Sequence, residues 1–184
     1  MAGGRRLSAP RTERLDAEAP EIGRHLDFAA AHYGDPAVAR WHWPGHLGGP
    51  RTRAQVRETI LRDARQLDAD GFGFWWWRDR DAGELVGHVG LHRTEVEGEP
   101  AIEVGWSIAP ARWGEGLAPE AAAAALAWGF DGGLDEIVSF TMVENRASQR
   151  VMQKLGLQYV REFQRQGFPH VLYRAARPGP AAAR

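Results

Sequence analysis

A glycine-containing loop that leads into a helix is the part of this sequence best suited to bind a ligand. A predicted strand ends at Ile108, Gly114 and Gly116 follow in a loop, and Pro119 and Glu120 are typical of a first helical turn. Amide N–H groups at a helix start, with the positive end of the helix dipole, can bind a phosphate or pyrophosphate. An ordinary strand–turn–helix connection gives the same pattern, so both interpretations stay open. No Gly-Lys-Ser/Thr follows, which excludes a nucleotide-triphosphate loop.

A second segment leaves a strand at Asn145 and enters a short helix that Gly156 ends. An asparagine at this point can cap the helix through its side chain, and a glycine is the usual C-terminal stop. The same amide can also orient a bound molecule. Taken alone, the segment does not decide between the two roles.

A carboxylate on a predicted strand is a candidate general base. In the strand 101–108, a period of two separates an apolar face from a face that carries Glu103, Gly105 and Ser107. Glu103 can accept a proton from an attacking amine, or it can be a solvated glutamate on an open sheet face. His88 and His92 share a face of the preceding strand, and either can lie opposite Glu103. We take His88 as the second candidate base and as a substrate-binding residue.

The segment 40–50 is rich in aromatic groups and is predicted to be a loop. His42 and His46 are four residues apart, but the intervening Trp-Pro-Gly breaks a helix, so we expect no metal site. Trp41 and Trp43 either cap the core or wall a substrate pocket, and we expect one in each role. In the run 75–77, three consecutive tryptophans alternate faces, so at least one indole is expected to reach a surface or groove.

The predicted elements that position these residues define an α/β chain. The segment 19–39 is expected to form one or two short helices, and a helix capped by Thr52 should run to about residue 69. Strands are predicted at 72–78, 85–94, 101–108, 137–143, 157–163 and 170–174, with helices over 118–130 and 147–155. The first three strands form a meander and the rest alternate with helices, which favours a mixed sheet. The acidic segment 12–19 gives no assignable strand.

Composition limits the function classes. The chain has 184 residues, a formal net charge of −1 and no cysteine. A nearly neutral protein lacks the broad attraction to nucleic acid or anionic lipid, and no disulfide, thiolate nucleophile or zinc–thiolate site can form. No secretory signal or membrane span is evident, so we expect a soluble, cytoplasmic protein. A single domain is predicted over residues 12–176, with flexible tails at 1–11 and 177–184.

Together the two ligand-binding segments resemble the acyl-CoA-dependent N-acetyltransferase (GNAT) superfamily, in the branch that acetylates the N-termini of ribosomal proteins. The resemblance rests on Trp-Gly-Glu-Gly-Leu-Ala with the following Pro-Glu-Ala, and on Asn145, Ser148 and Lys154-Leu-Gly, in matching order and spacing. It runs from about residue 13 to residue 174. It implies a mixed, mostly antiparallel sheet, flanked by helices, whose strands 101–108 and 137–143 splay apart in a V.

The resemblance also implies the site. Acetyl-CoA is the co-substrate and no metal takes part; Glu103 is the base, Asn145 orients groups, and Ser148 can assist catalysis. Main-chain groups of one strand would hold the pantetheine and those of the loop would hold the pyrophosphate; these residues are Trp106, Ser107, Ile108, Trp113, Gly114, Glu115, Gly116, Leu117 and Ala118. Trp41, Trp43 and His88 would contact the acceptor, a small-molecule or peptide amine.

Two departures from the family pattern bear on these expectations. Many relatives carry Gln or Arg where this chain has Trp113, which leaves backbone contacts intact. Many also carry a tyrosine as general acid where this chain has Met152, which cannot donate a proton. Ser148 or a water would then serve. Because the acid is absent, a weakly catalytic acyl-CoA-binding or sensing module is the alternative, and a plain interaction domain is a third. The aromatic surface is compatible with a homodimer.

Overall fold

The part of the chain that the structure describes contains seven strands and five α-helices. The computed structural model describes residues 8–179. The elements are β1 (Leu15–Glu18), α1 (Ile22–Gly34), α2 (Pro36–His42), α3 (Arg53–Asp70), β2 (Phe74–Asp79), β3 (Leu85–Val96), β4 (Glu99–Ile108), α4 (Leu117–Asp131), β5 (Glu136–Met142), α5 (Arg146–Lys154), β6 (Gln158–Arg165) and β7 (Phe168–Ala176). Short 3-10 turns lie at Gly45–Leu47 and Pro110–Arg112.

The strands form one sheet in the order β1-β2-β3-β4-β5-β7-β6. Every neighbouring pair is antiparallel except β4 and β5, which are parallel. Within the described residues these two strands share a single pair in register, Glu103 with Val138. The Ser139 hydroxyl donates a hydrogen bond of 2.9 Å to the Val104 carbonyl, and the strands then separate. The predicted mixed sheet with a splay between its central strands is confirmed.

Helices cover both faces of the sheet. On one face α4 packs with small residues, so that a Cβ on Gly129 would lie 2.6 Å from Leu91 Cδ1. The apolar face of β4 contributes Val104 and Ile108 to this core, as the period of two predicts. On the other face α1 and α3 bury Tyr33 against the sheet. The result is a layered domain with the polar side of β4 enclosed beneath the first helices.

The helices begin and end close to their predicted positions, with one extension. Thr52 and Gln55 form a reciprocal capping box at the start of α3, as expected for this cap. The prediction of a loop over 40–50 is wrong at its start, because α2 continues to His42 after Asp35 caps it. None of the described helices is long and apolar enough to span a bilayer.

Two sequence expectations need correction at the sheet edge. Residues Leu15–Glu18 form an edge strand on β2, although the segment is short and acidic. The Glu18 carboxylate accepts hydrogen bonds from Arg78 and lies 3.0 Å from His25 Nε2, so its charge is compensated on folding. The run 75–77 has all three indoles buried, because helices cover both sheet faces. No tryptophan of that run reaches solvent.

The predicted domain boundaries at residues 12 and 176 remain a prediction. Residues 8–11, assigned to a tail, contact the domain: the Ser8 carbonyl accepts a hydrogen bond from the Trp128 indole and the Pro10 carbonyl accepts one from the Ala17 amide. Residues 1–7 and 180–184, the outer parts of both predicted tails, lie outside the described residues.

We predict that Gly90→Ala destabilises the protein. Gly90 pairs with Gly105 on β4, and a Cβ there would overlap the Gly73 carbonyl oxygen and the Phe74 Cα. Backbone cannot yield easily, so the free energy of unfolding should fall by about 1–3 kcal/mol in urea titrations. Gly23→Ala is the control, since its Cβ would have no heavy atom nearer than 3.8 Å. Equal effects of the two changes would contradict the overlap.

Candidate active site

A cleft of about 950 Å³ follows the separation of β4 from β5. At one end it reaches the start of α4 and the exposed side of α5. At the other end it reaches the aromatic residues of α2 and the polar face of β4. Glu103, Asn145 and Ser148 all line this cleft, so the structure brings the three predicted catalytic residues to one site.

The start of α4 has the properties of an anion site. Gly114 and Gly116 have φ of +87° and +80°, a region that strains any side chain. Gly116 precedes the helix without a side-chain cap. Among the described residues, the amide N–H groups of residues 114–118 have no hydrogen-bond acceptor. Free amides at the positive end of a 15-residue helix suit a pyrophosphate.

The N-terminal segment holds this loop in place, which the sequence did not reveal. Thr12 and Arg14 donate hydrogen bonds to the Glu120 carboxylate in the first turn of α4, and Arg14 Nη1 donates to the Glu115 carbonyl. Burial alone would raise the pKa of Glu120, but these hydrogen bonds outweigh it and lower that pKa. Arg112 adds ion pairs to Asp79 and Glu115. The loop is therefore held in place by hydrogen bonds and ion pairs from the N-terminal segment and from Arg112.

The next part of the cleft is the main chain of β4. Beyond the pair of Glu103 with Val138, residues 104–108 have no strand partner on the β5 side. Trp106, Ser107 and Ile108 all line the cleft here. The Ile108 carbonyl accepts a hydrogen bond of 2.7 Å from the Trp113 indole, whose ring is 52% exposed. This edge offers main-chain groups to an extended ligand, because β5 does not pair with it here.

Helix α5 presents a capped start and a mixed face. The Asn145 side chain accepts a hydrogen bond of 3.2 Å from the Ser148 amide, so it caps the helix while it lines the cleft. The two roles left open for Asn145 are therefore compatible. Met152 is fully buried in the core. The position where relatives carry a tyrosine acid thus faces the core, and Ser148 is the hydroxyl of α5 at the cleft.

Two cations on α5 were missed by the sequence analysis. Arg150 and Lys154 line the cleft, and both are exposed. A signal was present, because residues 146, 150 and 154 are all basic and four apart, which places them on one helical face. These cations line the same cleft as the residues at the start of α4. They suit a second, more solvated phosphate.

Glu103 is buried on the polar face of β4 rather than solvated. It is 8% exposed, and its Oε2 lies 3.3 Å from His92 Nε2. Burial raises the pKa of Glu103 to about 8, slightly opposed by Arg165, and burial lowers the pKa of His92 to about 4. The pair therefore holds one proton near neutral pH. A carboxyl group tuned towards the working pH is suited to general-base catalysis.

His88 does not lie opposite Glu103 on the neighbouring strand. The register pairs His88 with Ser107, while His92 pairs with Glu103. His88 Nδ1 lies 2.7 Å from the Tyr33 hydroxyl, and the His88 imidazole is buried at the cleft wall. Ser107 Oγ lies 2.7 Å from His32 Nε2. Sequence analysis did not single out Tyr33 or His32, which lie in an ordinary amphipathic helix.

The aromatic end of the cleft contains both predicted tryptophans. Trp41 and Trp43 line it, and Trp43 also packs against the core beneath α1. We expected one tryptophan in the core and the other in the pocket. Instead both line the pocket, and Trp43 also packs against the core. Each indole carries an arginine on one face: Arg40 lies 4.4 Å from the Trp41 ring centroid and Arg51 lies 4.1 Å from that of Trp43. Within residues 8–179, no cluster of three or more metal-ligating side chains occurs.

The sequence matches the acetyltransferase (GNAT) domain over residues 19–158, and the chain belongs to this family. YkkB, an uncharacterized protein of Bacillus subtilis (strain 168), is 28% identical over 163 residues, which are 88% of this chain and 92% of YkkB. A GNAT-family acetyltransferase from Bacillus anthracis superposes with a TM-score of 0.78 at 22% identity, over 92% of this chain and 99% of that one. RimL, a ribosomal L7/L12 alpha-N-protein acetyltransferase solved with coenzyme A, gives 0.75 at 14% identity, over 91% and 97%.

These similarities confirm the predicted resemblance and the predicted fold. The chain is an acetyltransferase, and the family to which it belongs uses acetyl-CoA.

We predict that Glu103→Gln stabilises the protein more at high pH than at low pH. The raised pKa means that folded Glu103 keeps a proton which the unfolded chain loses above its ordinary value of 4.5. Wild-type stability should therefore fall as the pH rises from 5 towards 9, and glutamine removes this loss. Urea unfolding at the two pH values measures the difference between variant and wild type. The matched change Glu99→Gln, exposed on the same strand, should show no such trend.

Proposed function

We propose that this protein transfers the acetyl group of acetyl-CoA to a primary amine by direct attack within a ternary complex. The observation that carries this proposal is the buried carboxyl of Glu103 on the floor of the cleft between the α4 start and the aromatic end. The thioester enters along β4 from one side, and the amine enters past Trp41 and Trp43 from the other. The chain has no cysteine for a covalent thioester intermediate.

Glu103 accepts the proton that the nitrogen loses as it bonds to the thioester carbonyl carbon. Only the ionised carboxylate can do so, and burial keeps part of the population protonated at neutral pH. His92, held at 3.3 Å, keeps the carboxyl oriented and shares its proton. A carboxylate with a raised pKa is a stronger base, so the burial of Glu103 assists the proton transfer that we assign to it.

The leaving thiolate must gain a proton, and Met152 cannot give one. Ser148 is the hydroxyl nearest to Asn145 on the cleft side of α5, and it can pass a proton from solvent. The amide of Asn145, fixed by its capping hydrogen bond, contacts the pantetheine or the amine. Acid assistance is therefore weaker than with a tyrosine, which favours acceptors that are good nucleophiles.

The acceptor is a primary amine of a small molecule or of a protein N-terminus. RimL acts on a protein N-terminus according to its name, and the aromatic walls of this cleft are compatible with either kind of acceptor. We further propose that the protein works in the cytoplasm and that its exposed aromatic surface supports a homodimer.

Turnover measurements test whether the protein transfers acetyl groups and whether Glu103 is the base. Thiol release from acetyl-CoA with a panel of primary amines should be measured for wild type, Glu103→Gln and the exposed control Glu99→Gln. Glu103→Gln should lower kcat by about 100-fold or more, while wild-type kcat/KM should rise with pH through about 8. The dissociation constant of acetyl-CoA should stay within about threefold of wild type in all three proteins.

Three other outcomes would count against the proposal. Equal turnover of Glu103→Gln and wild type would remove Glu103 from the mechanism. Thermal stabilisation by acetyl-CoA without turnover of any amine would favour the sensing module instead. If acetyl-CoA neither stabilises the protein against heat nor is turned over with any amine, the plain interaction domain would be favoured.

The second prediction concerns the cations of α5. Lys154→Gln and Arg150→Gln should each weaken binding of coenzyme A by about twofold to fivefold, because an exposed charge pair contributes up to about 1 kcal/mol. Binding of dephospho-coenzyme A, which lacks the 3′-phosphate, should change much less. Arg161→Gln on the distant β6 is the control. A similar loss with both ligands would place the 3′-phosphate elsewhere.

A further inference from the structure

We propose that Tyr33, His88 and Asp63 form a second proton-accepting site in the cleft, distinct from Glu103, which binds the ammonium form of the acceptor and removes its first proton. The inference rests on the proposed acetyl transfer to an amine and deepens it. It assigns Tyr33 as a catalytic residue that touches the acceptor. His88 and Asp63 act through it as positioning residues.

The three side chains form a continuous buried array. The Tyr33 hydroxyl lies at a hydrogen-bond distance of 2.7 Å from His88 Nδ1. His88 Nε2 lies 3.2 Å from Asp63 Oδ2, which is an ion-pair distance, and neither of these two atoms makes a hydrogen bond among the described residues. All three residues line the cleft, and their exposed fractions are 5%, 3% and 2%. They come from three separate elements, α1, β3 and α3, so no local motif brings them together.

The charge of Asp63 fixes the direction of the hydrogen bond between Tyr33 and His88. Asp63 Oδ1 accepts from Arg62 Nη2 at 3.0 Å. Burial would raise the pKa of Asp63, but His88 and Arg62 outweigh it and the pKa is lowered, so the carboxylate is ionised. An ionised carboxylate only accepts, so the His88 Nε2 proton faces it, and His88 Nδ1 accepts from the Tyr33 hydroxyl. The remaining lone pairs of the Tyr33 oxygen are free for a donor in the cleft.

An ammonium group is the donor that this oxygen suits. Burial and the charge of Asp63 raise the pKa of Tyr33, so the hydroxyl does not ionise by itself. When an ammonium N–H passes its proton to Tyr33 Oη, the tyrosine proton moves to His88 Nδ1. The product is a neutral amine and an imidazolium ion whose charge Asp63 compensates. Atoms and charge balance without any further reactant.

The array is separate from the pair of Glu103 and His92. His88 and His92 are four residues apart on β3, and the Phe74 ring lies between them at 4.6 and 5.3 Å. Gly105 leaves space for this ring, since a Cβ there would lie 2.9 Å from Phe74 Cζ. Two proton acceptors match the chemistry, because an ammonium must lose one proton before attack and a second as the amide forms.

The charged neighbours of His88 do not compete for its proton. Titratable groups that face its ring come from four elements: His32 and Tyr33 on α1, His42 on α2, Arg62 and Asp63 on α3, and His92 on β3. Burial lowers the pKa of His32 to about 3 and that of His92 to about 4, so both stay neutral in an assay near pH 7. Among residues 8–179, Asp63 is the one carboxylate within ion-pair distance of His88.

The test compares two acceptors that differ in basicity and not in shape. The primary alkylamine acetylated fastest by wild type is paired with its β,β-difluoro analogue, whose amine is much less basic and carries a large uncharged fraction at pH 7 that the parent amine lacks. Tyr33→Phe should lower kcat/KM for the parent amine by about 100-fold at pH 7, and by less than about threefold for the fluorinated amine. Raising the pH towards the pKa of the parent amine should restore most of the loss. Asp63→Asn should show the same dependence on basicity.

Controls separate catalysis from structure. Tyr159→Phe, exposed on β6, should match wild type with both amines. Melting temperature and acetyl-CoA affinity establish that Tyr33→Phe and Asp63→Asn are folded; His88→Gln is a further variant if either is not. If the variants lose the same factor in kcat/KM with both amines, and a higher pH does not restore it, the proposed role of the array is wrong. Acetyl transfer by wild type in the same assay would still support the proposed function. Failure of wild type with every amine would overturn both.

Discussion

The separation of β4 from β5 after a single pair is the constraint on which the rest of the molecule depends. A central sheet normally satisfies its main-chain groups in both directions, and unpaired groups in the interior are costly. Here Ser139 closes the last contact with Val104, and the β4 main chain beyond it opens onto the cleft. A ligand that lies along this edge replaces the missing strand. Binding and completion of the sheet are then the same event.

Much of this arrangement was open to prediction. Alternation of residue types predicted the strands, and Thr52 with Gln55 marked the start of α3. The sequence also contained a signal for the register of β3 with β4 that the prediction did not use. Glu97 and Gly98, both with positive φ, form a two-residue turn between Val96 and Glu99. Counting outwards from that turn pairs residue 92 with residue 103. The position of the turn therefore decides that His92, and not His88, lies opposite Glu103.

What the sequence did not show is set by contacts between distant segments. An acidic segment such as Leu15–Glu18 looks unfit for a sheet until Arg78 and His25 compensate Glu18. Likewise Glu120 reads as a helix-start residue, and only the fold shows that Thr12 and Arg14 reach it. His25 is only seven residues from Glu18, but Arg78 is 60 residues from Glu18, and Thr12 and Arg14 are more than 100 residues from Glu120. No local pattern predicts them.

The polar face of β4 shows how the active site is supported at the expense of stability. Buried carboxyl and imidazole groups cost free energy unless they are paired, and each one here has a single close partner: His92 for Glu103, His32 for Ser107. The partners leave His32 Nδ1 and His92 Nδ1 buried without a hydrogen bond among the described residues. A purely structural core would replace such groups with apolar side chains of the same size. Their presence beside the open edge of β4 is explained if protons must move there, because proton transfer needs groups whose charged and neutral forms are close in free energy.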